Sequence, residues 1–120
     1  MGLEKVMHPR SVAVIGASKI ETKRGYQAIR TLMDEKYEGR IYPINPKENS
    51  ILGYPCYAKV SEIEGPVDVA LIATPAATVP SILHECGRKG ISGAVILAGG
   101  FRETGQDGKL LEDEIIQVAH

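Results

Sequence analysis

A turn that could hold a phosphate group follows the first apolar run of the chain. The run ends at Gly16, and Ala17, Ser18 and Lys19 come directly after it. Gly16 lets the backbone approach an anion without a Cβ in the way, and Ser18 adds a hydroxyl donor. A glycine turn after a strand can also serve structure alone, but the basic residues that follow favour anion binding. Because the next glycine is Gly25, the spacing is not the GxGxxG pattern of dinucleotide-binding domains.

A lysine, and no carboxylate, follows the second apolar run, which ends Ile44-Asn45-Pro46-Lys47. An NAD-binding unit usually has Asp or Glu about 20 residues after its glycine turn, where the carboxylate accepts hydrogen bonds from the ribose 2′-hydroxyl. Lys47 would instead favour a ribose that carries a phosphate, as the riboses of NADP and coenzyme A do. The alternative for Lys47 is a solvated surface charge.

Small residues end the third and fourth apolar runs. The third run ends at Thr74 and Pro75, and the fourth ends at Ala98 and Gly99. Small side chains leave room for a ligand and expose backbone groups that can hold it. We expect Thr74, Pro75 and Gly99 to contact a ligand, and the alternative is close packing of neighbouring helices.

The apolar runs predict the strands that position these residues. Three of them are nearly continuous, as is typical of parallel strands covered on both faces, and they comprise residues 11–16, 67–74 and 93–99. A weaker run at residues 40–45 contains Pro43, which cannot donate to a ladder, so we expect an edge position or an early end. Residues 46–60 have no clear period and predict a loop, with at most a short strand or hairpin arm near Tyr57.

Helical periodicity separates the strands. Apolar residues recur at helical intervals after Gly25, with Gly39 as a stop, and again over residues 77–89. The spacing of residues 111–118 predicts a third helix that runs on to the last residue without a stop. Strands that alternate with helices predict the α/β class, here a Rossmann-like parallel sheet with helices on both faces. We expect one domain over residues 1–120, a fragment of a longer chain truncated within its last helix.

The composition excludes several classes of protein. Hydrophobic residues make up 43% and charged residues 24% of the chain, as in an ordinary globular protein. A net charge of −1 gives no overall positive field for nucleic acid or anionic lipid. Cys56 and Cys86 have no partners at metal-ligand spacing and are expected to be reduced thiols. No apolar run is long enough to cross a bilayer, and the first residues do not read as a secretory signal, so we expect a cytoplasmic location.

Five ordered blocks of the sequence carry a family resemblance, and they read VAVIGAS, IYPINPK, VDVALIATPA, ECG and GAVILAGGFRETG. Together they resemble the CoA-binding domain of ADP-forming acetyl-CoA synthetases, which are relatives of the succinyl-CoA synthetase α subunit. The resemblance extends from about His8 to the end of the chain. It implies that the strand-end turns contact coenzyme A, and the residues that match by position are Gly16, Ala17, Ser18, Lys19, Lys47, Thr74, Pro75, Ala98 and Gly99.

The resemblance also implies a parent reaction. That reaction joins a carboxylic acid to coenzyme A with ATP, through an acyl phosphate and a phosphorylated histidine that belongs to a later domain. None of His8, His84 and His120 lies in a motif like the phosphorylated site, so we expect this segment to bind coenzyme A without catalysing a step. Its expected partners are the remaining domains or subunits of the synthetase.

Other functions stay open at this point. The chain could be a stand-alone, regulatory CoA-binding protein, or an NADP-dependent oxidoreductase in which Lys47 holds the 2′-phosphate. The same domain fused to a protein acetyltransferase module is a further alternative. The acid substrate, the nucleotide and the oligomeric state depend on parts of the protein that the sequence does not contain.

Overall fold

The computed structural model of the protein describes residues 8–97 and Glu114–Gln117. Within these residues, strands and helices alternate, with a small hairpin and two 3₁₀ turns between them. In chain order the elements are β1 (Ser11–Ile15), α1 (Arg24–Asp34), β2 (Arg40–Ile44), β3 (Ser50–Ile51), β4 (Tyr54–Pro55), a 3₁₀ turn (Val60–Glu62), β5 (Val69–Ile72), a second 3₁₀ turn (Ala76–Thr78), α2 (Val79–Lys89), β6 (Gly93–Ile96) and β7 (Glu114–Gln117).

The central sheet has the strand order β2-β1-β5-β6-β7. The strands β2, β1, β5 and β6 are parallel. Ser11 of β1 lies opposite Arg40 of β2, and Val12 of β1 lies opposite Val69 of β5. Parallel strands of this kind need crossover connections, and α1 and α2 supply two of them. The predicted α/β class and the Rossmann-like parallel sheet are confirmed. The carboxyl ends of the parallel strands consequently meet at one edge of the sheet.

The two helices lie on opposite faces of this sheet. Ala13 and Ile15 of β1 pack in one cluster with Cys86 of α2. Val12 and Val14 face the other way and pack in a second cluster around the fully buried Ile29 of α1. Because successive side chains of a strand point to opposite faces, a nearly continuous apolar strand serves both clusters. The prediction of helices on both faces is confirmed.

The structure corrects the prediction of a third helix near the end of the chain. The described part of that segment, Glu114–Gln117, is the strand β7, which pairs antiparallel with β6. The residues in the middle of β7 are Ile115 and Ile116, and β-branched residues favour strands over helices. Pairing also satisfies backbone groups that β6 would otherwise leave open at the sheet edge. The rest of the predicted helix lies outside the described residues.

Helix α1 ends before Gly39, where we expected its stop. Its last residue is Asp34, and Lys36 takes a positive φ of 58°. The Tyr37 N–H then donates to the Leu32 carbonyl at 2.9 Å, which closes the helix with a left-handed residue in the manner of a Schellman turn. The Tyr37 hydroxyl donates to the Pro9 carbonyl at 2.8 Å. Tyr37 therefore lies beyond the end of the helix, although it packs against the same core cluster as the apolar face of α1.

The strand β2 lies at the sheet edge, as Pro43 predicted. The loop after it contains the hairpin of β3 and β4, and a parallel bridge joins Ile44 to Tyr57. The expectation of a hairpin or short strand near Tyr57 is therefore confirmed. No helix in the described part of the chain has the length and hydrophobicity that crossing a bilayer requires.

Candidate functional site

A cleft of about 790 Å³ lies at the carboxyl ends of β1, β2 and β5. This is the edge where open parallel sheets bind their ligands, and the volume is in the range of small-molecule sites. Three separate strand-end turns contribute to its wall. Six of the nine predicted site residues line it, and these are Gly16, Ala17, Ser18, Lys47, Thr74 and Pro75.

The turn after β1 is fixed by contacts within the protein. Gly16 has a φ of 88°, and a Cβ placed on it would lie 2.9 Å from Thr74 Cγ2 and 3.0 Å from the carbonyl carbon of Ala73. Glycine is thus required by its conformation and by the closeness of the β5 turn. The N–H groups of Gly16 and Ala17 both donate to the Ile44 carbonyl, at 3.2 Å each. These two amides are already bonded within the protein, so they are not free to donate to an anion.

The free backbone donors come instead from the start of α1. Among the described residues, the N–H groups of Arg24 and Gly25 have no acceptor, since the first helical bonds are donated by Tyr26 and Gln27. No acidic residue lies in the first turn, and Lys23 at the N-cap makes no side-chain cap. Unpaired N–H groups and the positive end of the helix dipole attract anions. Both Arg24 and Gly25 line the cleft.

Gly25 brings this helix end against the glycine turn. A Cβ on Gly25 would overlap the Gly16 carbonyl oxygen and lie 2.8 Å from the Ala17 Cα. Any larger residue would push α1 away from β1. The pair Gly16 and Gly25 therefore performs the close helix–strand approach that the glycines of a GxGxxG motif perform at shorter spacing.

Asn45, which sequence reasoning did not select, connects the first two turns. Its Nδ2 donates to the Ala17 carbonyl at 2.9 Å, and its Oδ1 accepts from the Lys47 N–H at 2.8 Å. Asn commonly bonds the backbone two residues ahead of it. The position of Asn45 directly after a strand was the signal in the sequence that could have identified it.

Of the predicted site residues that the structure describes, Lys19 does not line the cleft. Its ammonium pairs with Glu48 Oε1 at 3.2 Å. The neighbouring Ser18 lines the cleft, and its Oγ accepts from the Ile20 N–H at 2.9 Å, which leaves its hydroxyl hydrogen available. Ile20 also lines the cleft and is 55% exposed, a high exposure for a large apolar side chain.

Thr74 and Pro75 supply the cleft wall from the β5 turn. The Thr74 and Thr78 hydroxyl oxygens lie 2.7 Å apart, and the Thr78 oxygen is 2.6 Å from the Pro75 carbonyl. Since Thr78 has one hydrogen to donate to Pro75, Thr74 can donate to Thr78 or to a ligand. Ala98 and Gly99, the predicted contacts after β6, lie outside the described residues.

The cleft is positively charged although the chain is not. Four basic residues and one carboxylate line it, namely Lys23, Arg24, Lys47, Lys59 and Glu85, whereas the net charge of the chain is −1. Lys59 belongs to the segment predicted as a loop and was not selected as a site residue. An anion with more than one phosphate group suits this lining.

The described residues offer neither a metal site nor an activated cysteine. They contain no group of three His, Cys, Asp or Glu side chains that could hold a metal ion. Both cysteines are free thiols. Burial, and secondarily Glu85, raises the pKa of Cys86 to about 11, and burial raises the pKa of Cys56. Both thiols are therefore protonated at neutral pH and are not activated nucleophiles.

The fold and the cleft together define an α/β domain of the Rossmann-like type with a basic cleft at its strand ends. Residues 10–120 match the family described as CoA binding domain. The chain therefore belongs to that family, and the resemblance found in the sequence is confirmed.

Similar proteins include complete ligases and their subunits. The chain is 46% identical over 117 residues to an ADP-forming acetate–CoA ligase of Methanocaldococcus jannaschii, which covers 98% of this chain and 16% of that protein. It is 43% identical over 118 residues to the α subunit of ADP-forming acetate–CoA ligase II of Pyrococcus furiosus, covering 98% of this chain and 26% of the subunit.

The chain is also similar to a solved structure of a synthetase with a related name. An acetyl-coenzyme A synthetase of Ca. Korarchaeum cryptofilum, solved with phosphate and ADP, superposes with a TM-score of 0.78 at 40% identity, over 89% of this chain and 23% of that one. The chain thus spans between about a sixth and a quarter of the length of these three proteins.

Proposed function

We propose that the chain binds coenzyme A in the cleft, through its 3′-phospho-ADP portion, as the CoA-binding domain of an ADP-forming acyl-CoA synthetase. The observation that carries this proposal is the convergence of three strand-end turns and four basic side chains on one cleft. Membership of the CoA binding domain family supports the choice of ligand.

The cleft suggests where each phosphate of coenzyme A would lie. The free N–H groups of Arg24 and Gly25, with the Arg24 guanidinium, suit the pyrophosphate. Lys47, which follows β2, suits the ribose 3′-phosphate. The Ser18 and Thr74 hydroxyls would donate to the phosphate or ribose oxygens between them.

The other predicted site residues are also proposed to contact coenzyme A, but through groups that are not engaged within the protein. For Lys19 we propose contact through its backbone N–H, because its side chain is paired with Glu48. Gly16, Ala17 and Pro75 would contact the ligand through their surfaces, since the N–H groups of the two turn residues are already bonded. Ala98 and Gly99 stay predictions for the turn after β6.

In the parent protein, coenzyme A would be a substrate that is consumed and not a resident cofactor. The overall reaction converts a carboxylic acid, coenzyme A and ATP to acyl-CoA, ADP and phosphate, through an acyl phosphate and a phosphohistidine held by other domains or subunits. His8 and His84 do not line the cleft, which suits a domain that binds and performs no chemistry. With both thiols free, we propose the cytoplasm as its compartment.

Calorimetric titration of the chain with coenzyme A and with NADPH tests this function. We expect coenzyme A to bind and NADPH to bind more weakly or not at all, because Lys47 and the turns would fit a 3′-phosphate. Tighter binding of NADPH would favour the oxidoreductase alternative and overturn the proposal. Sequencing the full-length gene separates a synthetase from a stand-alone CoA-binding protein.

A matched pair of variants on α1 ties the binding to the cleft. Arg24 lines the cleft, whereas Arg30 is exposed on the same helix and pairs with Asp34 at 2.9 Å. We expect Arg24→Gln to weaken coenzyme A by about tenfold, as for a lost charge-assisted contact to phosphate. Arg30→Gln should leave the affinity unchanged, and equal losses in both variants would argue against this cleft.

A further inference from the structure

Lys59 approaches the cleft from a segment that runs beside the end of β2. The Tyr57 N–H donates to the Pro43 carbonyl and the Asn45 N–H donates to the Tyr57 carbonyl, both at 2.9 Å. Together with the parallel bridge between Ile44 and Tyr57, these bonds place the two chains about 4.8 Å apart, the usual spacing of paired strands. Lys59 therefore leaves the sheet at the same edge as the β2 turn.

Lys47 and Lys59 both line the cleft, one from each of these adjacent chains. Both side chains are exposed, so each is free to turn toward an anion. Lys47 lies three positions after Ile44, and Lys59 lies two positions after Tyr57. Since Ile44 and Tyr57 are opposite each other in the bridge, the two lysines begin from neighbouring points on the rim.

Neither of these two ammonium groups forms an ion pair within the part of the chain that the structure describes. The ion pairs there join Lys19 to Glu48 and Arg30 to Asp34. Lys89, another lysine near this wall, is engaged by donating to the Ile63 carbonyl. Two unpaired cations on one wall repel each other, and a dianion between them removes that repulsion.

The charge of a phosphate monoester matches such a pair. A terminal phosphate carries about −1.5 to −2 charges at pH 7, because its second pKa is about 6. One lysine would balance only part of this charge. The phosphates within a pyrophosphate linkage have no such second ionisation, so the ribose phosphate is the group of coenzyme A that best suits two lysines.

We propose that Lys59 is a second cation for the ribose 3′-phosphate and that, with Lys47, it sets the preference of the cleft for coenzyme A over dephospho-coenzyme A. This inference rests on the proposed function. It makes Lys59 a specificity-determining residue, although the sequence pattern around it is that of an ordinary loop.

The test measures two ligands that differ only in the ribose phosphate. The 120-residue chain and its Lys47→Gln, Lys59→Gln and Lys36→Gln variants are titrated calorimetrically with coenzyme A and with dephospho-coenzyme A. Lys36 is exposed and does not line the cleft, so Lys36→Gln controls for the loss of one positive charge anywhere on the chain. Circular dichroism confirms that each variant is folded.

We expect Lys59→Gln to weaken coenzyme A about tenfold, about 1.4 kcal/mol, and dephospho-coenzyme A by less than about twofold, as for loss of a charge-assisted bond to phosphate alone. Lys47→Gln should show the same selectivity, and Lys36→Gln should show neither effect. Equal losses for the two ligands, or no loss, in Lys59→Gln would overturn the assignment of Lys59 while leaving coenzyme A binding intact. Failure of the unchanged chain to bind coenzyme A would instead overturn the proposed function and this inference with it.

Discussion

Gly16 and Gly53 have nearly the same backbone conformation in very different surroundings. Their φ angles are 88° and 89°, but a Cβ on Gly16 would crowd Thr74 and Ala73, whereas a Cβ on Gly53 would meet nothing within 4 Å. A comparison of alanine variants at these positions therefore separates the cost of the conformation from the cost of the contact.

We expect Gly53→Ala to lower the free energy of unfolding by about 1 kcal/mol, the usual cost of a left-handed residue with a Cβ. Gly16→Ala should cost about 1–3 kcal/mol more, because the turn must also move away from β5. Urea unfolding of both variants measures the difference. Equal destabilisation would mean that the β5 turn yields freely to a side chain at Gly16.

At the level of single residues, the sequence predicted the cleft-lining positions that depend only on their place at the end of a strand. Ser18 and Lys47 follow predicted strands, Thr74 ends one, and all three line the cleft. The ion pair between Lys19 and Glu48 could not be predicted because Glu48 belongs to a different turn. Lys59 was missed because only the bridge between Ile44 and Tyr57 brings its segment to the cleft.

Among the elements, one amide side chain adds to the backbone hydrogen bonds that connect the turns after β1 and β2. Asn45 bonds the Ala17 carbonyl and the Lys47 N–H, so it holds the glycine turn and the proposed ribose-phosphate lysine in register. Asn49, further along the same loop, is exposed and takes part through its backbone carbonyl, which accepts from the Cys56 N–H.

We expect Asn45→Ala to lower stability by about 1–2 kcal/mol, since two hydrogen bonds are lost and their backbone partners are left without them. Its affinity for coenzyme A should fall several-fold, because Lys47 then loses the side-chain contact that orients its turn relative to the glycine turn. Asn49→Ala should change neither quantity appreciably. Thermal unfolding and calorimetry of both variants provide the measurement, and unchanged binding by Asn45→Ala would show that the turns hold their positions without this side chain.

The buried elements were the ones that the sequence predicted correctly. The strands covered on both faces were found because sheet packing requires continuous apolar runs, and Val14 and Ala70 are fully buried in them. The strand β7 was mistaken for a helix because the prediction rested on only three apolar residues at helical spacing. The β-branched residues of this segment favour a strand, and the open edge of β6 offers a strand to pair with. The end of α1 was misplaced because a left-handed lysine, Lys36, closes it, and glycine is the residue expected at such a position.

The stability of the whole molecule should fall in alkaline solution through Cys86. This thiol is fully buried in the core beneath α2, and its pKa is raised to about 11. In the unfolded chain a thiol ionises near pH 8.5. Above that pH the unfolded state binds fewer protons than the folded state, so the free energy of unfolding decreases as the pH rises toward 11.

We expect a decrease of at most about 3 kcal/mol from this group over that range. Cys86→Ala should be less stable at pH 7, by about 1–2 kcal/mol through the cavity it leaves, but should show a flatter dependence between pH 8.5 and 10. Cys56→Ala serves as the comparison, because Cys56 is only partly buried and its removal should preserve most of the slope. Burial also raises the pKa of Tyr37, so measurements are best confined to pH values below 10. A slope that persists in Cys86→Ala would assign the alkaline loss to other groups.

The shared acceptor at the end of β2 has a consequence for the kinetics of recognition. Because the Ile44 carbonyl holds the Gly16 and Ala17 amides, the bend after β1 is fixed by the protein's own hydrogen bonds without a ligand. A receptor built in this way loses little conformational entropy on association and changes little between its free and occupied forms. Differences in affinity among related ligands should therefore arise mainly from differences in their dissociation rates.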